Sequence, residues 1–467
     1  MRLSEREALR DWIRRSDNLS DRFLWGRSGG MALAAVADSS SISNARELTD
    51  RSVLLLTRHP LSAARALVDL DGVARQIIIC PPGLADEQLE WLTEAGCYDA
   101  VAVDHERPAI SRAAVIARIE PTAATAAGRA TAGSGADWVM FTSGTTGAPK
   151  LVVHTLEGLA GAIGSRGLDD GARIWGTFYD IRRYGGLQIL LRALLGGASL
   201  VFAEPGEDMA EFLGRLAVHG ATHITGTPSH WRTALMHSGI EAIRPSYIRI
   251  SGEIADQPLL NALRNQFPKA EIVHAYASTE AGVGFEVDDG LEGFPAGILG
   301  RGGQVEIRLR NDVLQVRSER TARRYLSGPL SLMDGEGFVD TGDVVERRGD
   351  RFFFVGRRGG IINVGGLKVH PEEVEAVINS HPEVRMSRVK GRRNPISGMV
   401  VVADVVPVDD LDPPGEARVR TEVLSACDRH LERYKIPMRI AFVPALPMTP
   451  GGKLARDETA VAPGRAG

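Results

Sequence analysis

Short apolar runs of β type alternate with helical stretches through the first hundred residues of the chain. The predicted strands are residues 52–57 (Ser-Val-Leu-Leu-Leu-Thr), 76–80 (Gln-Ile-Ile-Ile-Cys) and 100–103 (Ala-Val-Ala-Val), and the predicted helices are residues 61–70 and 86–95. Strands separated by helices can pair in parallel, because each helix returns the chain to the same end of the sheet. The pattern therefore predicts an α/β fold with a parallel sheet.

The pattern changes twice further along the chain. A second α/β series has predicted strands at 199–202, 222–225 and 247–250 and helices at 209–217 and 258–266. Short strands follow at 304–309 and 312–316, and then a compact piece with helices at 371–379 and 418–433 and a strand at 399–408. We predict a large N-terminal domain (1–356) of α/β subdomains plus a β-rich subdomain, and a small, mobile α+β C-terminal domain (357–467), with Gly356-Arg-Arg-Gly-Gly360 at the boundary.

Composition narrows the class of protein. A chain of 467 residues is too long for one typical domain, and its net charge of −4 gives no support to a nucleic-acid partner. The three cysteines, Cys80, Cys97 and Cys427, match neither a disulfide framework nor a zinc spacing. The N-terminus has no apolar leader-like run, and Arg192 and two glycines break the apolar stretch 187–202. We expect no membrane span and a cytoplasmic location.

Residues 141–150 (Phe-Thr-Ser-Gly-Thr-Thr-Gly-Ala-Pro-Lys) follow the β-type run Trp-Val-Met and have the composition of a phosphate cradle. Glycines let backbone N–H groups approach a ligand, while hydroxyls and a lysine add donors and charge. The segment is not a Walker A loop, because Pro149 precedes the lysine and no Ser or Thr follows it. A flexible linker is the alternative, although a linker has no need of Pro-Lys at its end. The candidate phosphate ligands are Thr142, Ser143, Gly144, Thr145, Thr146, Gly147 and Lys150.

Three further segments carry reactive side chains. Residues 275–282 (Ala-Tyr-Ala-Ser-Thr-Glu-Ala-Gly) combine an aromatic ring, hydroxyls and a carboxylate, as a nucleotide site with Mg²⁺ requires. Residues 337–343 (Gly-Phe-Val-Asp-Thr-Gly-Asp) form an acidic turn, and a carboxylate can accept two hydrogen bonds from a ribose diol. Lys453 follows two glycines and is free to enter a site formed by another domain. Taken singly, these segments could equally be a polar loop, an acidic turn and a solvated lysine.

Together, the segments occur in the order found in the adenylate-forming superfamily of acyl- and aryl-CoA ligases, luciferases and peptide-synthetase adenylation domains, which the chain resembles over residues 141–456. The resemblance implies an AMP-forming acid ligase that uses ATP, Mg²⁺ and CoA. It implies that Lys150 steadies the outer phosphates of ATP and that Lys453 bridges the reacting carboxylate and the nucleotide. It also implies that Tyr276 lines the adenine, that Thr279 contacts the α-phosphate and that Glu280 holds Mg²⁺. Asp343 would bind the ribose, and Arg357 the ribose or the phosphates. Gly365 and Gly366 would lie beside the pantetheine tunnel.

The chain departs from this family pattern at two positions. Ala277 replaces the usual glycine and would narrow the neighbouring substrate pocket. Gly359 stands at the hinge, where relatives usually carry Asp or Lys. Glycine frees φ and ψ and would ease domain rotation, at the loss of any side-chain bond that holds one state.

The acid-binding pocket is less well specified. The segment 175–186 lies where relatives carry an aromatic residue or histidine beside the acyl group, and an arginine there would favour a second anionic group or a very small oxyanion. A solvated arginine pair at a helix start is the alternative. The candidate pocket residues are Tyr179, Arg182, Arg183, Tyr184, Gly252 and Ala277. A basic group at Arg385, Arg388, Lys390, Arg392 and Arg393 would either meet the 3′-phosphate of CoA or form a solvated face.

The predicted reaction is adenylation of a small aryl or short acyl acid with release of pyrophosphate, followed by transfer of the acyl group to CoA. One alternative keeps adenylation but changes the acceptor, as in a nitrite-activating enzyme that acts on an aryl amine. Another alternative is a homologue that binds a nucleotide without catalysis. The presence of all the implied functional residues argues against it: Lys150, Glu280, Asp343, Arg357 and Lys453. The sequence leaves the identity of the acid and the presence of a homodimer open.

Overall fold

The computed structural model describes residues 8–42, 44–105, 115–120, 125–126, 135–142, 150–163, 173–327, 331–364, 367–394, 398–449 and 452–455. The α-helices are α1 (Leu9–Ile13), α2 (Leu33–Asp38), α3 (Pro60–Leu70), α4 (Asp86–Glu94), α5 (Leu156–Ala160), α6 (Tyr184–Leu195), α7 (Met209–Val218), α8 (Pro228–Ala234), α9 (Gln257–Gln266), α10 (Pro371–Asn379) and α11 (Pro413–His430). The 3₁₀ helices are Leu19–Asp21, Ala45–Leu48, Ser238–Ala242, Ala296–Ile298, Arg358–Gly360 and Arg433–Lys435.

The strands form sheets of several sizes. They are β1 (Phe23–Gly26), β2 (Gly29–Ala32), β3 (Ser39–Ser40), β4 (Ser52–Leu56), β5 (Gln76–Ile79), β6 (Ala100–Val103), β7 (Val115–Arg118), β8 (Thr125–Ala126), β9 (Asp137–Phe141), β10 (Leu151–Thr155), β11 (Ile174–Thr177), β12 (Ser199–Phe202), β13 (His223–Gly226), β14 (Tyr247–Ser251), β15 (Glu271–Ser278), β16 (Gly282–Val287), β17 (Phe294–Pro295), β18 (Val305–Arg310), β19 (Val313–Ser318), β20 (Arg324–Tyr325), β21 (Val339–Arg348), β22 (Arg351–Arg357), β23 (Ile362–Val364), β24 (Leu367–Val369), β25 (Val384–Asn394), β26 (Gly398–Pro407) and β27 (Arg439–Phe442).

The first large sheet has seven strands in the order β20-β10-β9-β5-β4-β6-β7. Strands β9, β5, β4, β6 and β7 run parallel, as the alternating pattern predicts. The mostly apolar strands β4, β5 and β6 are buried on both faces, with Val53, Ile77 and Val101 fully buried, because helices cover a parallel sheet on both sides. The antiparallel pair β9–β10 brings the two ends of the predicted phosphate loop together, since the backbone N–H of Thr142 donates to the carbonyl of Lys150 at 2.9 Å.

The second large sheet has eight strands in the order β16-β15-β14-β13-β11-β12-β1-β2. The six strands between the two outermost ones are parallel, so their carboxyl ends lie along one edge. The loops after β11, β13, β14 and β15 are among those that leave this edge, and ligands of open parallel sheets bind at such an edge.

A five-stranded antiparallel sheet, β17-β22-β21-β19-β18, follows and accounts for the predicted β-rich subdomain. The long strands β21 and β22 pair so that Asp343 lies directly opposite Arg357. This register places two of the predicted nucleotide residues side by side.

The C-terminal part consists of the sheet β25-β26-β27, the hairpin β23–β24 and helices α10 and α11. Its buried apolar residues, from Ile362 to Ile440, form a cluster separate from those of the preceding sheets. This separation supports a domain boundary at 356/357, which we keep as a proposal. Helix α11 begins at Pro413, earlier than the predicted residue 418, because Asp412 caps it by accepting from the N–H of Gly415 at 2.8 Å and proline occupies its first turn.

Two findings concern partners and environment. Among the described residues, no helix is both long and apolar enough to cross a bilayer. Cys80 and Cys427 are buried and Cys97 is partly exposed, and none of the three forms a disulfide.

Candidate active site

A cleft of about 1270 Å³ lies between the two proposed domains. Lys150 and Glu280 line it from the N-terminal side, and Arg392 lines it from the C-terminal side. The lining residues are Thr142, Lys150, Ser278, Glu280, Tyr325, 340–342, 357–362, 371–372, 389–393, 402–404, Arg439 and Ala441. Side chains from opposite ends of the sequence therefore face the same space.

A buried histidine holds the loop that carries Thr279 and Glu280. The Nε2–H of His154, on β10, donates to the backbone carbonyl of Thr279 at 2.8 Å. His154 is 1% exposed, and burial lowers its pKa to about 4, so the imidazole is neutral and its proton lies on the nitrogen that donates. The sequence analysis missed His154. Its position four residues after Lys150, in an otherwise apolar strand, is the signal that could have identified it.

Tyr276, Asp343 and Arg357 form one hydrogen-bonded network. The hydroxyl of Tyr276 donates to Oδ2 of Asp343 at 2.6 Å, and Nε of Arg357 donates to Oδ1 at 2.8 Å. Burial and the neighbouring Asp343 raise the pKa of Tyr276, which therefore remains a donor. The rings of Phe285 and Phe354 stack on Tyr276 at centroid distances of 5.4 and 5.3 Å and hold it in place. The structure thus joins three of the predicted nucleotide residues.

The loop that carries Lys453 is bound to the carboxyl edge of the eight-stranded sheet. Oγ1 of Thr227 donates to the carbonyl of Gly452 at 2.9 Å, and the N–H of Leu454 donates to Oε1 of Glu253 at 2.9 Å. The other oxygen of Glu253 accepts from the N–H of Ser229 at 2.9 Å. Glu253 therefore connects the C-terminal loop to helix α8.

Two glycines allow this close approach. A Cβ at Gly452, whose φ is +68°, would lie 1.8 Å from Nε2 of His230. A Cβ at Gly252, whose φ is +90°, would lie 3.1 Å from Cε of Lys453. We call Thr227, His230 and Glu253 the lysine latch, because they surround the Lys453 loop.

Several charged residues influence the side chain of Lys453. Desolvation by burial lowers the pKa of Lys453. Glu253 and Asp343 oppose this shift, and Arg357 and Arg183 add to it. Residues of both the latch and the nucleotide network therefore influence the charge of Lys453.

Three of the predicted pocket residues are buried in the fold. Arg182 is 2% exposed; its guanidinium donates to Asp180 at 2.8 and 2.6 Å and to the carbonyls of Thr57 and Arg58. The hydroxyl of Tyr179 donates to the carbonyls of Gly226 and Ser251 at 2.6 and 2.9 Å.

Tyr184 is also buried, with its ring centroid 5.7 Å from that of His154. We therefore correct the prediction for Tyr179 and Arg182, because their polar groups are bonded within the fold. The hydroxyl of Tyr184 is buried without a hydrogen-bond partner among the described residues, and its place in the acid pocket stays a prediction. Arg183, the N-cap residue of α6, is only partly buried, and its Nε has no hydrogen-bond partner among the described residues.

The remaining predicted residues have varied environments. Ala277 lies at an irregularity in the β15–β16 pairing. Gly359 lies exposed in the turn Arg358–Gly360, where an added Cβ would meet no atom within 4 Å, so packing does not require glycine there. Its hinge role stays a proposal. Ser143, Gly144, Thr145, Thr146, Gly147, Gly365 and Gly366 lie outside the described residues.

Some residues of the predicted basic group are bonded within the protein, and others are exposed. Arg388 and Lys390 pair with Asp404 at 2.7 and 3.0 Å, and Arg385 donates to the carbonyl of Val408 at 2.6 Å. Arg392 and Arg393 are exposed on the cleft wall. These two arginines are the members best placed to meet an anionic ligand.

The fold and cleft are those of a two-domain enzyme that binds a nucleotide between its domains. Residues 74–319 match the model of the AMP-binding enzyme family, and residues 373–453 match that of the AMP-binding enzyme C-terminal domain. The chain belongs to the AMP-binding enzyme family. The predicted adenylate-forming ligase and its fold class are confirmed.

Two similar proteins with assigned activities are CoA ligases. A 2-succinylbenzoate–CoA ligase of Staphylococcus epidermidis is 27% identical over 343 residues, covering 68% of each chain. The 4-coumarate–CoA ligase 2 of Solanum tuberosum is 25% identical over 359 residues, covering 68% of this chain and 63% of the potato enzyme. The match thus spans slightly less than two thirds of the potato enzyme.

Solved structures share the fold over nearly the whole chain. The anthranilate CoA ligase AuaEII in complex with anthranoyl-AMP has a TM-score of 0.79 at 18% identity, covering 97% of this chain and 96% of that one. The amide bond synthetase McbA of Marinactinospora thermotolerans has a TM-score of 0.76 at 20% identity, covering 97% and 99%. These likenesses concern the fold.

Proposed function

We propose that the protein activates a small carboxylic acid as an acyl-adenylate and transfers the acyl group to CoA. The observation that carries the proposal is the Lys453 loop, which the latch binds at the carboxyl edge of the eight-stranded sheet. Asp343 and Arg357 of the nucleotide network both influence the pKa of Lys453, so its cation would act beside the nucleotide.

The proposed chemistry follows from the charges in the cleft. A carboxylate oxygen of the acid attacks the α-phosphorus of ATP, forming the acyl–phosphate bond as the bond to pyrophosphate breaks. Lys453 would stabilise the charge that develops on the oxygens around this phosphorus, a kind of electrostatic contribution that often dominates catalysis. Lys150 would steady the outer phosphates, and Asp343 would accept from the ribose hydroxyls.

Glu280 is the proposed protein ligand for Mg²⁺. It lies on the cleft wall with Lys150, and hard carboxylate oxygens suit this ion. Among the described residues, no three His, Cys, Asp or Glu side chains gather at one metal position. This donor set fits an ion that is bound mainly by phosphates and water, and Mg²⁺ bound there would neutralise phosphate charge.

The acceptor is proposed from the relatives, whose names specify CoA, and from the exposed Arg392 and Arg393, which suit the phosphates of that molecule. Transfer to an amine, including the nitrite-activating alternative, is the competing outcome of the test. The cytoplasmic location and a homodimer stay predictions.

The test measures the two half-reactions separately. ATP–pyrophosphate exchange is followed over a panel of aryl and short acyl acids and nitrite, and AMP release is then measured with CoA or an aryl amine. We expect exchange with at least one carboxylic acid and AMP release that depends on CoA. Exchange with nitrite alone, or AMP release only with the amine, would contradict CoA as the acceptor. The absence of exchange with every substrate would contradict adenylation.

A further inference from the structure

Strands β25 and β27 of the C-terminal part present three exposed arginines to the cleft. Arg392 and Arg393 lie near the end of β25, and Arg439 begins β27. Within the described residues, none of the three side chains has a hydrogen-bonded or ion-paired partner. We call these three residues the arginine wall.

The cleft as a whole has an excess of positive charge. Among the described residues, seven cationic side chains and four anionic ones line it. Three of the cations are bonded to carboxylates, in the pairs Arg357–Asp343, Arg358–Asp340 and Lys390–Asp404. The arginine wall and Lys150 are the four that have no such partner in the part of the chain that the structure describes. A cleft lined by unbalanced positive charge attracts a ligand that carries several negative charges.

The arginine wall shares this cleft with both ends of the predicted phosphate loop. Thr142 and Lys150 line the cleft from the large domain, as does Glu280, the proposed ligand for Mg²⁺. The cations of the two domains therefore border one continuous space, at the side where the outer phosphates of a nucleotide would lie.

Strand β25 also connects the arginine wall with the Lys453 loop. Nη1 of the buried Arg388, on this strand, donates to the carbonyl of Ala455 at 3.3 Å, two residues after Lys453. Arg392 lies four residues further along the same strand, a distance of about 13 Å at the usual rise of a β-strand. Because one strand holds both, the arrangement in which the latch binds the Lys453 loop is also the one in which the arginine wall faces the cleft.

We propose that the arginine wall binds the outer phosphates of ATP during adenylation, and then the pyrophosphate that these phosphates become. The proposal rests on the proposed function and deepens it, since it gives the small domain a second part in the first half-reaction besides that of Lys453. The triphosphate supplies several negative charges, and guanidinium groups bind phosphate oxygens through paired hydrogen bonds. CoA enters after pyrophosphate has left, so its phosphates would meet the same arginines only in the second step.

The test measures KM for pyrophosphate in ATP–pyrophosphate exchange, with the acid that gives the fastest rate. The variants are Arg392→Gln/Arg393→Gln, the charge-retaining Arg392→Lys/Arg393→Lys, and Arg439→Gln. Arg429→Gln is the matched control, because Arg429 is exposed on α11 of the same part of the chain and does not line the cleft.

We expect KM for pyrophosphate to rise about tenfold or more in the double glutamine variant, with little change in KM for the acid, since two charged donors to phosphate are lost. The double lysine variant and Arg439→Gln should show smaller rises. Arg429→Gln should keep the wild-type value. An unchanged KM for pyrophosphate in the double glutamine variant would overturn the proposal.

A second measurement separates the two half-reactions. Transfer from a preformed acyl-adenylate to CoA is followed in the same variants, together with their melting temperatures. A rise in KM for CoA with an unchanged KM for pyrophosphate would overturn the proposal, because the arginine wall would then serve the second step alone. A loss of kcat that parallels a lower melting temperature, with both KM values unchanged, would also overturn it and indicate a structural role.

Binding without catalysis distinguishes the failure of this proposal from that of the proposed function. If the wild type catalyses no exchange, binding of magnesium pyrophosphate is measured by calorimetry. Binding to the wild type and to Arg429→Gln that is about tenfold or more weaker in the double glutamine variant would support the phosphate site although adenylation had failed. Equal affinities in the three proteins, or no binding to the wild type, would contradict the phosphate site.

Discussion

At the scale of single residues, Lys453 has the most direct predicted effect. Its loop is held through backbone atoms of Gly452 and Leu454 and not through the Lys453 side chain. Lys453→Ala should therefore leave the fold intact and slow exchange about 10²–10³-fold, the usual cost of one preorganised donor. Exchange rates and the melting temperature check this prediction. Near-normal pyrophosphate exchange in the variant would remove Lys453 from the adenylation step.

His154 is predicted to affect the reaction indirectly, because it forms a hydrogen bond with the backbone of Thr279. His154→Ala should lower the rate of adenylation about tenfold, since a hydrogen bond that fixes the Thr279–Glu280 loop is lost. His154→Gln retains an N–H donor and should recover part of the rate. Equal losses in both variants, parallel to their losses in melting temperature, would indicate that His154 only stabilises the fold.

At the scale of elements, the latch joins the C-terminal loop to α8 and to the end of β14. Glu253→Ala removes the acceptor for the N–H of Leu454, so adenylation should slow by about tenfold or more. Glu253→Gln keeps an oxygen acceptor and should lose less. Transfer from a preformed acyl-adenylate to CoA should change little, because the latch holds only the arrangement that presents Lys453.

Single-turnover measurements of the two half-reactions separate these effects. Thr227→Val removes the other side-chain bond to the loop, that to the carbonyl of Gly452, and serves as the matched variant. If both half-reactions fall equally in Glu253→Ala, the latch does not select one arrangement.

Most elements followed from local sequence. Strands β6 and β12 and helix α10 begin and end at the predicted residues, because apolar runs and a proline at a helix start act locally. Strands β1 and β10 were not predicted. Strand β10 is stabilised by pairing with β9, and β1 by pairing with β12. The hydrophobic pattern of a short segment does not show which strand it will pair with.

At the scale of the whole molecule, two histidines make stability depend on pH. Burial lowers the pKa values of His154 and His230 to about 4, from an ordinary value of 6.5. Between these values the unfolded chain binds more protons, so the free energy of unfolding should decrease as pH falls from about 6.5 towards 4. Each unit of pKa difference corresponds to about 1.4 kcal/mol for each histidine.

Urea unfolding at pH 7.5, 6 and 5 measures this dependence. His154→Gln should show a shallower loss between pH 6.5 and 5 than the wild type, whatever its stability at pH 7.5. Identical slopes in the two proteins would show that His154 does not contribute to the loss. Carboxylates such as Glu286, whose pKa is lowered although its burial opposes this, contribute mainly below pH 4.5.

The sequence by itself determined the order of the elements, the family and the residues with the right chemistry, because a strand, a glycine-rich turn or a capped helix is specified over a few residues. The tertiary structure decided which of these residues face the cleft. Arg182 and Arg183 are adjacent and chemically equal, yet one is bonded to Asp180 and the other has no partner among the described residues. His154 and Glu253 likewise gain their positions from Thr279 and Leu454, which lie far along the chain. Packing between distant segments selects such partners, and a local pattern contains no information about them.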